Sequence, residues 1–206
     1  MMSLWPSTTW TQWVFVALAL IVGLARLLEM RLSKRHQREL TRAGLRVEPE
    51  RAFVAMVALH TGVLVGAVLE VLFAHRAFNP IIGVPAALAF FGANGLRLWV
   101  IRTMAGHWNV RVVDSSSLGV VTAGPYAFIR HPNYVAVFAE LLAFPLIHGA
   151  YVTAVVGTLA HVMVLSKRIA LEDGILLASP SYKEAMGHKP RFLPRLSSTV
   201  DRQIPS

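Results

Sequence analysis

The segment Gly124-Pro125-Tyr126-Ala127-Phe128-Ile129-Arg130-His131-Pro132-Asn133-Tyr134 is polar and turn-forming, and it runs straight into an apolar run from Val135 to Ile147. Aromatic rings, a guanidinium and an imidazole at the mouth of a membrane helix are costly to keep there unless they bind something. Further along, Lys167-Arg168-Ile169-Ala170-Leu171-Glu172-Asp173-Gly174 is followed by Tyr182 and by Lys189-Pro190-Arg191-Phe192. Arg168 and Glu172 are four apart, so on a helix they share one face. Glu172 can accept hydrogen bonds, while His131 and the backbone N–H groups of a helix starting at Pro132 can donate them. Tyr126 and Tyr134 can wall a flat ring or approach a cation. Each group also has a plainer reading: a surface ion pair for Arg168 and Glu172, interfacial anchoring for the tyrosines, and a helix-entry hydrogen bond for His131.

Composition says what must position these residues. The chain has 206 residues, of which 55% are hydrophobic and only 15% charged, with mean hydropathy +0.54. Soluble domains carry about 25% charge, so the chain reads as a membrane protein. It has no cysteine, which removes disulfides, thiolate metal sites and cysteine nucleophiles. The net charge of +9 is spread by membrane side rather than gathered on one face, which argues against a nucleic-acid partner. No cluster of metal ligands is evident.

Three apolar segments, Trp10 to Leu28, Ala52 to Phe73 and Pro80 to Ile101, provide about 20 residues each, enough to cross roughly 30 Å of hydrocarbon. Tyr134 to Ile147 and Tyr151 to Leu165 are shorter and flank Gly149, which predicts a short helical hairpin. The fold class is therefore all-α and polytopic, with about five transmembrane helices and a cytosolic C-terminal segment. Residues 1–206 read as a single domain, with three N-terminal helices and a basic connector over 1–101 and the chemistry-bearing part over 102–206. Arg31 to Arg51, Arg102 to His131 and Lys167 to Arg202 fall on one side, which the positive-inside rule makes cytoplasmic. Nothing after Met1 reads as a cleaved signal peptide. The charged stretch after Arg31 continues the first helix as a solvated arm near anionic headgroups until Gly44 ends it.

The order Gly124-Pro125-Tyr126, Arg130-His131-Pro132-Asn133-Tyr134, short hairpin, Arg168, Glu172-Asp173 and a Tyr-bearing tail resembles the isoprenylcysteine carboxyl methyltransferase family, over roughly Arg111 to Arg195. The N-terminal half, with Arg26-Leu27-Leu28-Glu29, Leu59-His60-Thr61 and Leu96-Arg97-Leu98-Trp99, looks like the bacterial branch that methylates alkylquinols, alkylresorcinols or alkylpyrones. The resemblance implies an integral-membrane enzyme, in a bacterial inner membrane, using S-adenosylmethionine from the cytoplasm. By alignment of the motifs its cofactor contacts are Arg111, Leu118, Gly119, Val120, Val121, Tyr126, His131, Pro132, Asn133, Tyr134 and Glu172. Arg168 falls on the position that faces the methyl acceptor. The family's run of glutamates is shortened here to Glu172-Asp173. A dinucleotide fingerprint is missing, since Gly119 and Gly124 do not form Gly-x-Gly-x-x-Gly after a strand.

Methyl transfer asks the protein for alignment and electrostatics. A carboxylate acceptor is already ionised, whereas a phenolic or enolic hydroxyl must lose a proton. Arg168 suits both. The acceptor implied is a lipophilic alkyl phenol, quinol or pyrone drawn from the membrane lipids. Carboxyl methylation of a prenylated cysteine and N-methylation of a phospholipid are the enzymatic alternatives, and a small transporter or helix-packing subunit is the non-enzymatic one.

His60, Glu70, Arg97, Glu140 and His161 lie inside apolar segments, where ionisable groups are expensive and tend to be functional. Arg97 and Glu140 are placed to pair near an acceptor chamber, and Glu140 is the membrane carboxylate suited to help with the acceptor's proton. Glu70 falls near the opposite surface and reads as solvated. His60 and His161 read as interhelical hydrogen-bonding residues. Gly62 and Gly66 form a small-xxx-small pair that fits close helix packing or a homodimer.

Overall fold

The computed structural model describes residues 9–42, 44–45, 51–110 and 119–194, the side chains of 51 and 52 excepted. Its helices are α1 (Trp10–Arg42), α2 (Arg51–Phe73), α3 (Pro80–Met104), α4 (Pro132–Leu146), α5 (Tyr151–Leu176) and the short α6 (Pro180–Met186). Single 3₁₀ turns at Ala105–His107 and Gly124–Ala127 complete them, and every regular element among the described residues is helical. Among the described residues four helices are long and apolar enough to cross a membrane, in α1, α2, α3 and α5, while α4 has 15 residues. The protein is a polytopic all-α membrane protein.

The expected short hairpin is corrected in its second arm. Helix α5 does not end at Leu165 but continues to Leu176, 26 residues in all. From Ser166 to Asp173 no glycine or proline interrupts, and Lys167, Arg168, Leu171 and Glu172 are strong helix formers, so polarity changes without breaking the helix. Arg168 and Glu172 therefore ride on one rigid rod. Helix α4 is short for reasons visible at both ends. Pro132 opens it at N1, and its last turn closes through Ala150 N–H to the Pro145 carbonyl at 2.9 Å, with Gly149 at φ 72°.

Helix α4 is also the most enclosed element, packed between α3 and α5 with Ala136, Val137, Leu141, Ala143 and Phe144 buried. At the end of the bundle away from Tyr134, Phe15, Val71, Phe90 and Phe144 form a core in which Phe15 and Phe144 stack at 5.0 Å. At the other end Met56, Tyr134, Leu165 and Ile169 cluster. Leu20, Leu88 and Leu159 stay exposed on the outside, as helices facing lipid require.

The close α2–α5 crossing rests on Gly157, where an added Cβ would lie 2.5 Å from Val63. The pair expected on α2 has a lesser part: Gly66 faces Thr153 at 3.5 Å, and a Cβ at Gly62 would meet open space. Glu70 is not merely solvated. Its carboxylate accepts from Val152 N–H at 3.1 Å, Thr153 N–H at 2.8 Å and Thr153 Oγ1 at 2.9 Å, so it caps the start of α5 from a neighbouring helix. A carboxylate there satisfies orphan amides and meets the positive end of the helix dipole.

Candidate active site

Helix α1 extends past the apolar stretch as expected and stops at Arg42, with Gly44 at φ 83° and Leu45 N–H returning to the Leu40 carbonyl. This arm is more than a solvated helix. Ser33 Oγ donates to Asn109 Oδ1 and accepts from Val110 N–H, both at 3.0 Å, and His36 Nδ1 donates to the Trp108 carbonyl at 2.8 Å. The arm thus holds the chain at 108–110 against the bundle. Arg168 Nη2 then donates to the Val110 carbonyl, and Arg168 Nε donates to the Tyr134 hydroxyl at 3.0 Å. Tyr134 in turn donates to Glu172. One hydroxyl links the two α5 residues that the sequence places on a common face.

Asp173, next in the chain, anchors the other side. It accepts from His131 Nε2 and from Arg191 Nε, each at 2.8 Å, and Arg130 Nη1 lies 3.5 Å away. Backbone bonds from Arg130 N–H to the Pro190 carbonyl and from His131 N–H to the Arg191 carbonyl bring the C-terminal segment across the same turn. Lys189 Nζ donates to the Tyr126 carbonyl at 2.7 Å. Gly124 makes this turn possible. Its φ is 57°, and a Cβ would come 2.6 Å from Thr103 Oγ1.

Between these supports lies a polar pocket of about 920 Å³ including its open mouth, near the upper end of the range for small-molecule sites. Gly119, Val120, Val121, Tyr126, His131, Asn133, Tyr134 and Glu172 all lie on its wall, together with Arg168. Pro132 does not; it is buried as the first residue of α4. Arg111 and Leu118 lie outside the described residues. Sequence reasoning missed His107, Trp108, Asn109, Arg130 and Tyr182, which share the wall. Arg130 stood inside the quoted motif, and Tyr182 was visible in the tail, but nothing in the local pattern tied His107 to either.

The pocket's phenols are held neutral. Burial, and then the charge of Glu172, pushes the Tyr126 hydroxyl well above its usual range, and its proton points at Met104 Sδ 2.8 Å away. Burial followed by Glu172 also pushes Tyr182 up to about 12. Among the described residues His107 Nδ1, Arg130 Nε and Asn133 Oδ1 are buried on this wall without a hydrogen-bond partner. Such atoms fit a ligand rich in both donors and acceptors.

A second, mainly apolar chamber of about 760 Å³ lies among α1, α2, α3 and α4, and shares Trp108, Asn133, Tyr134 and Arg168 with the polar pocket. Its polar groups are Arg26, Glu29, His60, Thr61 and Arg97. Glu140 is not on its wall. Arg26 bonds to both Glu29 and Glu140, Arg97 Nη2 lies 2.6 Å from Glu29, and Arg97 Nη1 lies 3.7 Å from Glu140. Asn94 Oδ1 accepts from Arg26 Nη2 at 2.8 Å. The expected Arg97–Glu140 contact is therefore one edge of a four-charge cluster of zero net charge. Among the described residues no group of three or more His, Cys, Asp or Glu is arranged to hold a metal ion.

The fold and site define a membrane protein with a polar pocket at the helix ends, joined to an apolar chamber inside the bundle. The model of the isoprenylcysteine carboxyl methyltransferase family, whose members are S-adenosylmethionine-dependent methyltransferases, matches residues 86–178, which supports that family. The chain is 25% identical over 165 residues to the uncharacterized protein YpbQ of Bacillus subtilis (strain 168), covering 80% of this chain and 95% of that one. It is 29% identical over 121 residues to the nickel-cobalt-cadmium resistance protein NccN of Alcaligenes xylosoxydans xylosoxydans, 55% of this chain and 53% of the relative. It is 30% identical over 102 residues to the cobalt-zinc-cadmium resistance protein CzcN of Cupriavidus metallidurans, 49% of this chain and 44% of the relative. The chain thus spans about half the length of each resistance protein.

Proposed function

We propose that the protein is an S-adenosylmethionine-dependent O-methyltransferase whose acceptor is the hydroxyl of a long-chain alkyl phenol, quinol or pyrone taken from the bilayer. The observation that carries this reading is the shared wall: a polar pocket and an apolar chamber meet at Trp108, Asn133, Tyr134 and Arg168. A methyl donor and a lipophilic acceptor have to be brought together from two different phases, and such a wall is where they can meet. The positive-inside reading puts the polar pocket on the cytoplasmic side of an inner membrane.

Glu172 and the unpartnered His107, Arg130 and Asn133 atoms would hold the cofactor's polar ends, with Gly119 to Val121 and Tyr126 against its flat parts. When bound, S-adenosylmethionine supplies an electrophilic methyl on a sulfonium. The chain's residues then do three things. Tyr134 separates the two compartments and fixes Arg168 and Glu172 relative to one another. Arg168 offers a fixed cation to the acceptor oxygen as it loses its proton. Glu140 acts at one remove, by holding Arg26 and Arg97 at the side of the chamber.

The test has two parts. Labelled cofactor should bind detergent-purified protein, and incubation with deuterated-methyl cofactor and membrane lipids should move the label onto a lipophilic hydroxyl, read by mass spectrometry. Failure to bind cofactor would favour the transporter or packing-subunit reading. Label found only on a prenylcysteine carboxylate or a phospholipid amine would keep the methyltransferase and replace the acceptor.

A further inference from the structure

The four-charge cluster beside the apolar chamber is closed on itself, because the two carboxylates of Glu29 and Glu140 are shared between Arg26 and Arg97. His60 is different. Its Nδ1 lies 2.7 Å from the Met56 carbonyl of its own helix, and a carbonyl only accepts, so Nδ1 carries the proton. In the neutral ring Nε2 is then a bare acceptor. His60 lines the chamber, and Nε2 has no hydrogen bond among the described residues. His161, wholly buried, packs edge-on against the imidazole at 5.8 Å and holds its plane.

Depth gives this acceptor a meaning. Met56 packs against Tyr134, at the wall where the two compartments meet. His60 is four residues further along α2, about 6 Å deeper at 1.5 Å per residue. That offset is about the span of a single substituted ring. An acceptor whose reacting oxygen lies at Tyr134 and Arg168 would bring a second ring substituent level with Nε2.

We infer that His60 Nε2 accepts a hydrogen bond from a second hydroxyl of the acceptor, so that the chamber selects dihydroxylated alkyl rings over monohydroxylated ones. This rests on the O-methyltransferase reading above and narrows it. His60 is a specificity-determining residue: it holds the ring's second hydroxyl, while methyl transfer takes place at the other. An acceptor that a monohydroxylated ring covers without pairing costs binding that a dihydroxylated ring recovers.

The experiment compares an alkylresorcinol with the alkylphenol of equal chain length that lacks its second hydroxyl. Wild type should favour the resorcinol in kcat/KM by about tenfold, mostly through KM. His60→Phe should bring that ratio close to one. His60→Gln, whose amide oxygen can still accept, should keep part of it, and it decides the matter if the Phe variant fails to insert. Cofactor affinity should be the same in all three proteins. Resorcinol turnover with an unchanged ratio in the variants, or no preference in wild type, would overturn the role of His60 and leave the proposed function standing. Turnover of a farnesylcysteine analogue alone would remove the acceptor reading and this inference with it.

Discussion

Arg168 Nε donates to the Tyr134 hydroxyl at 3.0 Å, and the guanidinium carbon lies 5.8 Å from the centre of the same ring. Tyr134 donates its own hydroxyl hydrogen bond to Glu172, and Arg168 is fixed again by the Val110 carbonyl. A phenol that accepts from a cation and donates to a carboxylate can satisfy both only with its oxygen between them. The polar pocket and the apolar chamber are therefore registered to one another through a single oxygen atom.

Replacing Arg168 with alanine should abolish turnover while cofactor affinity changes by less than about tenfold, or 1.4 kcal/mol. Arg168→Lys should not restore activity, because an ammonium cannot reach Tyr134 and Val110 with the geometry of a guanidinium fork. Calorimetric titration and single-turnover assays separate the two effects. Collapse of cofactor binding in the alanine variant would assign Arg168 to the cofactor instead.

Neighbouring acids should behave differently. Glu172 faces the pocket, whereas Asp173 is buried beneath His131, Arg130 and Arg191. Glu172→Gln should weaken cofactor binding at nearly unchanged thermal stability. Asp173→Asn should lower the midpoint by several degrees as well, since it loosens the segment that closes the pocket. Equal midpoints for the two variants would deny Asp173 its anchoring role.

Much of this was legible in the sequence, for reasons particular residues make plain. The apolar runs and Gly149 marked helices and a turn because bilayer thickness and backbone freedom act locally. Arg168 and Glu172 shared a face because helical period is local too. What could not be read was convergence: Ser33 and His36 meet residues 108–110 across a long stretch of chain, and Asp173 collects partners from two separated segments. Depth alone was enough to pair Glu140 with Arg97, and that contact is present at 3.7 Å, but its closer partner Arg26 comes from α1, a choice made by packing. The length of α5 was underestimated because hydropathy reports where apolar character ends, not where a helix does.

The four-charge cluster should be expensive to break. Glu140→Gln leaves the buried Arg97 and the half-buried Arg26 sharing one carboxylate, and losing one partner of a buried pair costs about 3–5 kcal/mol. Arg35 and Glu39 form an exposed pair at 3.1 Å on the same α1, so Glu39→Gln should cost only ~0.2–1 kcal/mol. Comparing unfolding of the two variants in detergent checks the contrast. A Glu140→Gln protein as stable as Glu39→Gln would mean the cluster contributes nothing to the fold.

The pocket tyrosines fix how stability depends on pH. Unfolded tyrosine titrates near 10, whereas burial and the Glu172 charge raise Tyr126 far above that and Tyr182 to about 12. Above pH ~10 the unfolded chain therefore releases protons that the folded chain keeps, so the unfolded state binds fewer and stability falls as pH rises. Their contribution is complete below that pH and flat from 7 to 9. Thermal unfolding in detergent from pH 7 to 11 should show a plateau and then a decline. Tyr126→Phe, which has no proton to lose, should decline less steeply. The same shifts assign the pH dependence of turnover. Neither phenol titrates between pH 7 and 9, so a rate that climbs across that range, as the proposed hydroxyl acceptor predicts, should climb equally in Tyr126→Phe. A rise abolished by that substitution would make Tyr126 the titrating group and contradict the neutral, buried state its surroundings impose.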